Sequence, residues 1–184
     1  LLGENFKYFY LKYFFAKKII SIGSIRNNDV KNIEKKRSKS IVFISQYKKW
    51  SENSLLLKEN GDHISFRESY LKHDHIVLNF LAKYCKKRKF KLKILSKALP
   101  VNLNSESNYY QKILNKKKFK FLKILNIKKK YELLNQFHYF VTIDSTMGYE
   151  ALARNKRVAF FEIRHDVSSL FKGKYHKYGS TKLK

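Results

Sequence analysis

A single cysteine, Cys85, has no partner for an intrachain disulfide, so nothing in the chain points to an oxidising compartment. The same scarcity, with no paired-histidine spacing, argues against a structural zinc site. His73 and His75 stand two apart, on different faces of a helix, and read as surface residues. One proline and six glycines leave little room for a low-complexity linker, and no internal repeat is visible. No apolar run approaches the ~18–20 residues needed to cross a bilayer. The aromatic segment from Phe6 to Ile20 is interrupted by Lys7, Lys12, Lys17 and Lys18 and lacks the small-residue cleavage site of a signal peptide. It reads as a core-facing helix leading into a strand, with an interfacial helix as the alternative. Acidic residues are scarce as well: 14 against 41 basic ones.

What is present suits a folded protein. The 184 residues are 43% hydrophobic and 16% aromatic, enough to bury a core despite a formal charge of +27. Such a charge has two explanations. One is a polyanionic partner: nucleic acid, an anionic membrane surface or a phosphorylated substrate. The other is an AT-rich coding sequence, which favours Lys, Asn, Ile, Tyr and Phe alike. Only 7 of the 41 basic residues are arginines. Reading nucleic acid favours arginine, whose planar fork makes bidentate contacts that lysine cannot make. Composition is therefore the preferred explanation, an anionic membrane face is second, and nucleic acid is not expected.

Along the chain, strands alternate with helices. Lys18–Ile22 is a short β-prone run, and residues 27–40 form an irregular charged connection. Ser40-Ile41-Val42-Phe43-Ile44-Ser45 is a continuous apolar run rich in β-branched residues, as in a strand buried on both faces of a parallel sheet. A long polar insertion from Gln46 to Ser69 follows, with turn chemistry at Asn60-Gly61-Asp62. Apolar spacing predicts a helix over Tyr70–Lys87, a strand over Leu92–Ser96, and a helix capped by Ser105 and running to Leu114. Further strands are expected at Phe119–Ile124, Tyr139–Ile143 and Arg157–Phe161, with helices over Tyr131–Asn135 and Thr146–Arg154. Repeated strand–helix–strand units imply right-handed crossovers and a Rossmann-like parallel α/β sheet with helices on both faces. Ligands of such sheets bind beyond the carboxyl ends of the strands. That rule makes Ser45-Gln46, Ser96-Lys97 and Asp144-Ser145-Thr146 neighbours on one rim.

The segment Val141-Thr142-Ile143-Asp144-Ser145-Thr146-Met147-Gly148-Tyr149-Glu150-Ala151-Leu152-Ala153 carries the most chemistry. A buried strand stops and a helix begins at once, so unpaired N–H groups are available to an anion. Ser145 and Thr146 add hydroxyl donors, Gly148 would let a ligand approach the backbone, and Glu150 could accept bonds from a ribose diol. The alternative is that Asp144, Ser145 or Thr146 simply caps the helix.

The run centred on DSTMGYEALARNKRVAFF resembles the donor-site signature of GT-B-type glycosyltransferases. It is most similar to the branch that builds bacterial surface carbohydrate, capsule and lipopolysaccharide. Gly23-Ser24-Ile25-Arg26-Asn27-Asn28 and Phe43-Ile44-Ser45-Gln46-Tyr47 also look like pieces of that branch. The resemblance is specific over about twenty residues.

It implies a nucleotide-sugar donor and a glycan or glycolipid acceptor. Ser145 and Thr146 would bind donor phosphate, and Glu150 the donor ribose. Ser45 and Gln46 would flank base or phosphates, and Lys97 would neutralise charge on the departing nucleotide. No metal or other cofactor is implied, since side chains and helix dipoles meet phosphate in that architecture. A cytoplasmic location is expected, and the basic charge leaves the inner face of the cytoplasmic membrane open.

A GT-B enzyme has a second sheet domain. Residues 1–30 are read as a remnant of it or a connecting segment, and 31–184 as the donor-binding domain. The catalytic base stays unassigned, with Asp62, His63 and Glu68 of the polar insertion as candidates. Two other readings stand beside this one: a non-enzymatic basic protein holding nucleic acid or membrane, and a sugar-nucleotide epimerase of the same architecture.

Overall fold

The computed structural model describes residues 28, 30–32, 38–47, 55–57, 62–65, 72–97, 102–115, 117–124, 126–143 and 145–161. By compactness the chain divides into two units, Leu1–Glu34 and Lys35–Lys184. The described residues of the first are Asn28, Val30, Lys31 and Asn32. The expected strand over Lys18–Ile22 and the segment from Phe6 to Ile20 lie outside the described residues.

The second unit is built on a five-stranded sheet. Its strands are β1 (Ser40–Ile44), β4 (Lys91–Leu95), β5 (Lys120–Leu122), β6 (Tyr139–Thr142) and β7 (Arg157–Phe160). All pairings within it are parallel, and the spatial order is β5-β4-β1-β6-β7. Every residue of central β1 is buried, the result expected of an apolar run covered on both faces. Four helices connect the strands: α1 (Lys72–Arg88), α2 (Leu103–Leu114), α3 (Ile127–Gln136) and α4 (Thr146–Leu152).

Side-chain parity assigns the helices to faces. Ile41, Phe43, Leu92, Ile94 and Val141 share one core with Val77, Leu78, Leu81 and Cys85 of α1 and Tyr110, Ile113 and Leu114 of α2. The alternate residues point the other way. There Gly148 of α4 lies against Thr142 and Phe160, and the Lys93 ammonium sits 4.2 Å from the ring centre of Phe137, just past α3. The helices therefore cover both faces.

In chain order the sheet strands run third, second, first, fourth, fifth. Succession outward from β1 reverses between β1 and β6, the kind of point at which doubly wound sheets bind their ligands.

The polar insertion holds a second, antiparallel pair, β2 (Leu55–Leu57) with β3 (His63–Ser65), which the sequence reading did not foresee. Two helix starts also differ from expectation. α2 begins at Leu103 after Asn102, so Ser105 lies inside the helix and does not cap it. α3 begins earlier than Tyr131 because the Asn126 side chain accepts from the Lys129 N–H at 2.7 Å, an N-cap bond that starts a longer helix.

Candidate functional site at the carboxyl rim of the sheet

The reversal point brings the ends of β1 and β6 side by side, with Phe43 in register with Val141. Residues 45–47 follow one strand, and Ile143, Ser145 and Thr146 follow the other, so Ser45-Gln46 and Ser145-Thr146 come after neighbouring strand ends at the reversal point. Lys97 follows β4, the neighbour of β1 on the other side. Asp144 lies outside the described residues, as does Glu68.

Beneath this rim the structure is more polar than the sequence suggested. Ser45 is fully buried, and its hydroxyl oxygen accepts from the Tyr110 hydroxyl at 2.7 Å and from the Tyr47 N–H at 3.1 Å. The Asp74 carboxylate, buried in the first turn of α1, accepts longer bonds of 3.5 Å from both Tyr109 and Tyr110. Burial pushes the Tyr110 phenol well above the ordinary tyrosine value, and Asp74 adds to the shift while the Ser45 bond opposes it. Glu106, buried in the first turn of α2, accepts from the Lys97 N–H at 2.9 Å. The Ser96 hydroxyl accepts from the Ile124 N–H at 2.8 Å. These bonds fix the strand-end loops from below.

Ser45 and Gln46 are both buried, and the Ser45 hydroxyl works within the fold, fixing the loop that leaves β1. Gly148 faces the sheet, not a crevice: a Cβ there would come within 2.8 Å of Phe160 Cε1 and of Thr142 Cγ2. Its missing side chain serves close helix–sheet packing. By contrast, Thr146 and Lys97 are exposed at the rim. Ser145 is the N-cap residue of α4 by position, yet its side chain makes no capping bond. Its N–H donates to Thr142 Oγ1 at 3.2 Å, and its carbonyl accepts from the Gly148 N–H at 2.9 Å.

Glu150 lies one turn into α4, in a polar seam against α3. It accepts from the Tyr131 hydroxyl at 3.0 Å and pairs with the Lys130 ammonium at 3.4 Å. The buried Arg154 continues the seam, donating to Asn135 Oδ1 at 2.9 Å, with its guanidinium 5.6 Å from the Tyr131 ring centre. Desolvation lowers the Arg154 pKa, while Tyr131 and Glu150 work in the opposite direction. Asp62 and His63 are exposed in and beside the β2–β3 pair.

Asp74, Glu106 and the two tyrosines are the polar groups that sequence reasoning missed here. Their signal was helical spacing: Glu106, Tyr109 and Tyr110 lie within one turn of each other, so a buried carboxylate and phenol on one side of α2 were open to inference. Among the described residues no group of three or more His, Cys, Asp or Glu is placed to hold a metal ion.

Strand order, helix placement and the rim between β1 and β6 define a doubly wound, Rossmann-like α/β protein. The chain belongs to the family described as "putative O-antigen biosynthesis protein", whose model matches residues 1–182. That description associates it with the making of a bacterial surface carbohydrate. Neither the search of curated proteins nor that of solved structures found a significant match. Among the described residues no helix is long and apolar enough to cross a membrane.

Proposed function

We propose that the chain is the donor-binding portion of a glycosyltransferase that acts in O-antigen assembly on a nucleotide-activated sugar. One observation carries the reading: the reversal of strand order falls beside Ser145 and Thr146, where α4 begins after β6, and doubly wound sheets bind ligands at such a reversal. The family description supplies the biosynthetic setting.

In this reading the donor diphosphate lies over the ends of β1 and β6. Thr146 donates to a phosphate oxygen, and Lys97 meets the charge that builds on the departing nucleotide. Electrostatic stabilisation of that leaving group is the chemistry this half supplies. Ser145 contributes its hydroxyl, which α4 does not use as a cap. Glu150 accepts from a ribose hydroxyl while Tyr131 holds the carboxylate in place. The acceptor is a growing glycan or glycolipid. No metal is assigned to the reaction.

Calorimetric titration with UDP, GDP and CMP tests the reading. One of the three should bind clearly better than the others. Thr146→Ala and Lys97→Ala, both at exposed positions, should each weaken that nucleotide about tenfold, the loss of one charge-assisted hydrogen bond. Glu150→Gln keeps the Tyr131 bond and should weaken nucleotides more than it weakens folding. If neither exposed variant changes the affinity, the rim is not the donor site.

A further inference from the structure

Helix α1 has two apolar sides, and the core explains only one. Val77, Leu78, Leu81 and Cys85 are buried against the sheet. Ile76, Phe80 and Tyr84 are spaced by four and form a second stripe along the outer face, 54%, 52% and 40% exposed. The Phe80 and Tyr84 rings stack at 6.1 Å, and Phe80 also meets Phe161 at 6.0 Å. Between this stripe and the β6–β7 side of the sheet runs a groove of about 530 Å³ whose lining includes Phe80, Tyr84, Tyr139, Phe161 and, as its cation, Arg157. Single exposed apolar residues are ordinary, but a contiguous aromatic stripe beside a groove marks an interaction surface.

The charge around the stripe identifies the partner. Lys83, Lys86, Lys87 and Arg88 occupy its flank and end, all exposed, and Lys89 and Lys91 continue the cluster at the start of β4. None of them is in an ion pair among the described residues. Cations in the last turn of α1 suit the negative end of the helix dipole, which accounts for Lys86, Lys87 and Arg88 but not for Lys83 or Lys91. Aromatic rings bordered by lysines match the headgroup layer of an anionic membrane: the rings enter the interface while the ammonium groups remain among the phosphates. A nucleic acid fits less well, because the groove offers hydrocarbon walls where base edges need hydrogen-bonding partners, and the cluster is mainly lysine.

We infer that the outer face of α1, with Ile76, Phe80 and Tyr84 and the basic cluster at its end, docks on an anionic lipid surface. The inference uses no residue of the carboxyl rim and stands whether or not a nucleotide binds there.

Vesicle co-sedimentation of the full chain tests it, with vesicles of equal parts phosphatidylcholine and phosphatidylglycerol against phosphatidylcholine alone. The chain should bind only the anionic vesicles. Replacing Lys83, Lys87 and Arg88 together by Gln should weaken binding about fivefold per charge, roughly a hundredfold in all. Replacing Lys118, Lys120 and Lys123 on the β5 edge, the same change in net charge, should cost less than about fivefold. Phe80→Ser with Tyr84→Ser should weaken binding by about tenfold or more, as expected for losing a buried ring.

Four results would each overturn the inference. They are equal binding to both vesicle types, equal loss in the two charge variants, binding of a uridine homopolymer in place of vesicles, and a dimer in sedimentation that the serine pair dissolves without changing vesicle binding.

Discussion

Tyr110 shows how one buried side chain can fix the segment that follows a strand. It is fully buried, donates to Ser45 across the end of β1, and lies beside the Asp74 carboxylate. Tyr110→Phe removes that donor and should lower stability by ~1–3 kcal/mol in urea unfolding. The pH dependence has a definite sign. The folded phenol ionises well above 10.0, so its contribution is complete below that value. It is lost as pH rises further, because the unfolded chain ionises first. The stability gap between wild type and Tyr110→Phe should therefore narrow above about pH 10. A gap that widens there would mean that the phenol is not shielded as the geometry implies. Neither partner of Tyr110 was legible in the sequence, since Ser45 lies 65 residues away. The residue types were readable but the meeting was not.

At the scale of elements, α4 and its neighbours carry the argument. The strand–turn–helix at 139–152 was legible because a β-branched run, a polar corner and a small-residue helix follow each other without interruption. What the sequence could not show was which way Gly148 faces. Only the register that sets Thr142 beside Phe160 reveals that α4 lies too close to the sheet for a Cβ. Gly148→Ala should cost ~1–3 kcal/mol through overpacking, read as a lower thermal midpoint. Combining it with Phe160→Leu, which vacates the contacted ring atoms, should recover part of the loss. Full additivity would place the glycine's role elsewhere. The β2–β3 pair escaped sequence reading for a different reason: strands of three residues are too short for an alternation to register. The start of α3 was missed because its first turn, Ile127-Lys128-Lys129-Lys130, is a run of lysines with no apolar period.

Across the whole molecule, the parallel sheet with helices on both faces was foreseeable from the alternation of elements. The spatial order of its strands was not, because crossover direction leaves open where the chain turns back across the sheet. That order matters most, since it places the reversal between β1 and β6 and so makes neighbours of the strand ends that residues 45–47 and 145–146 follow. The outer face of α1 was half legible: its core spacing stood out, while the second stripe at Ile76, Phe80 and Tyr84 was absorbed into the same helix. As proposed, the rim takes the nucleotide-sugar and the stripe takes the lipid surface. Hydrogen–deuterium exchange with and without the best-bound nucleotide tests the central claim most directly. Slowed exchange confined to residues 45–47, 96–97 and 143–150 is the result expected. Protection on α1 alone, or none at the ends of β1 and β6, would contradict the assignment of the donor to this rim.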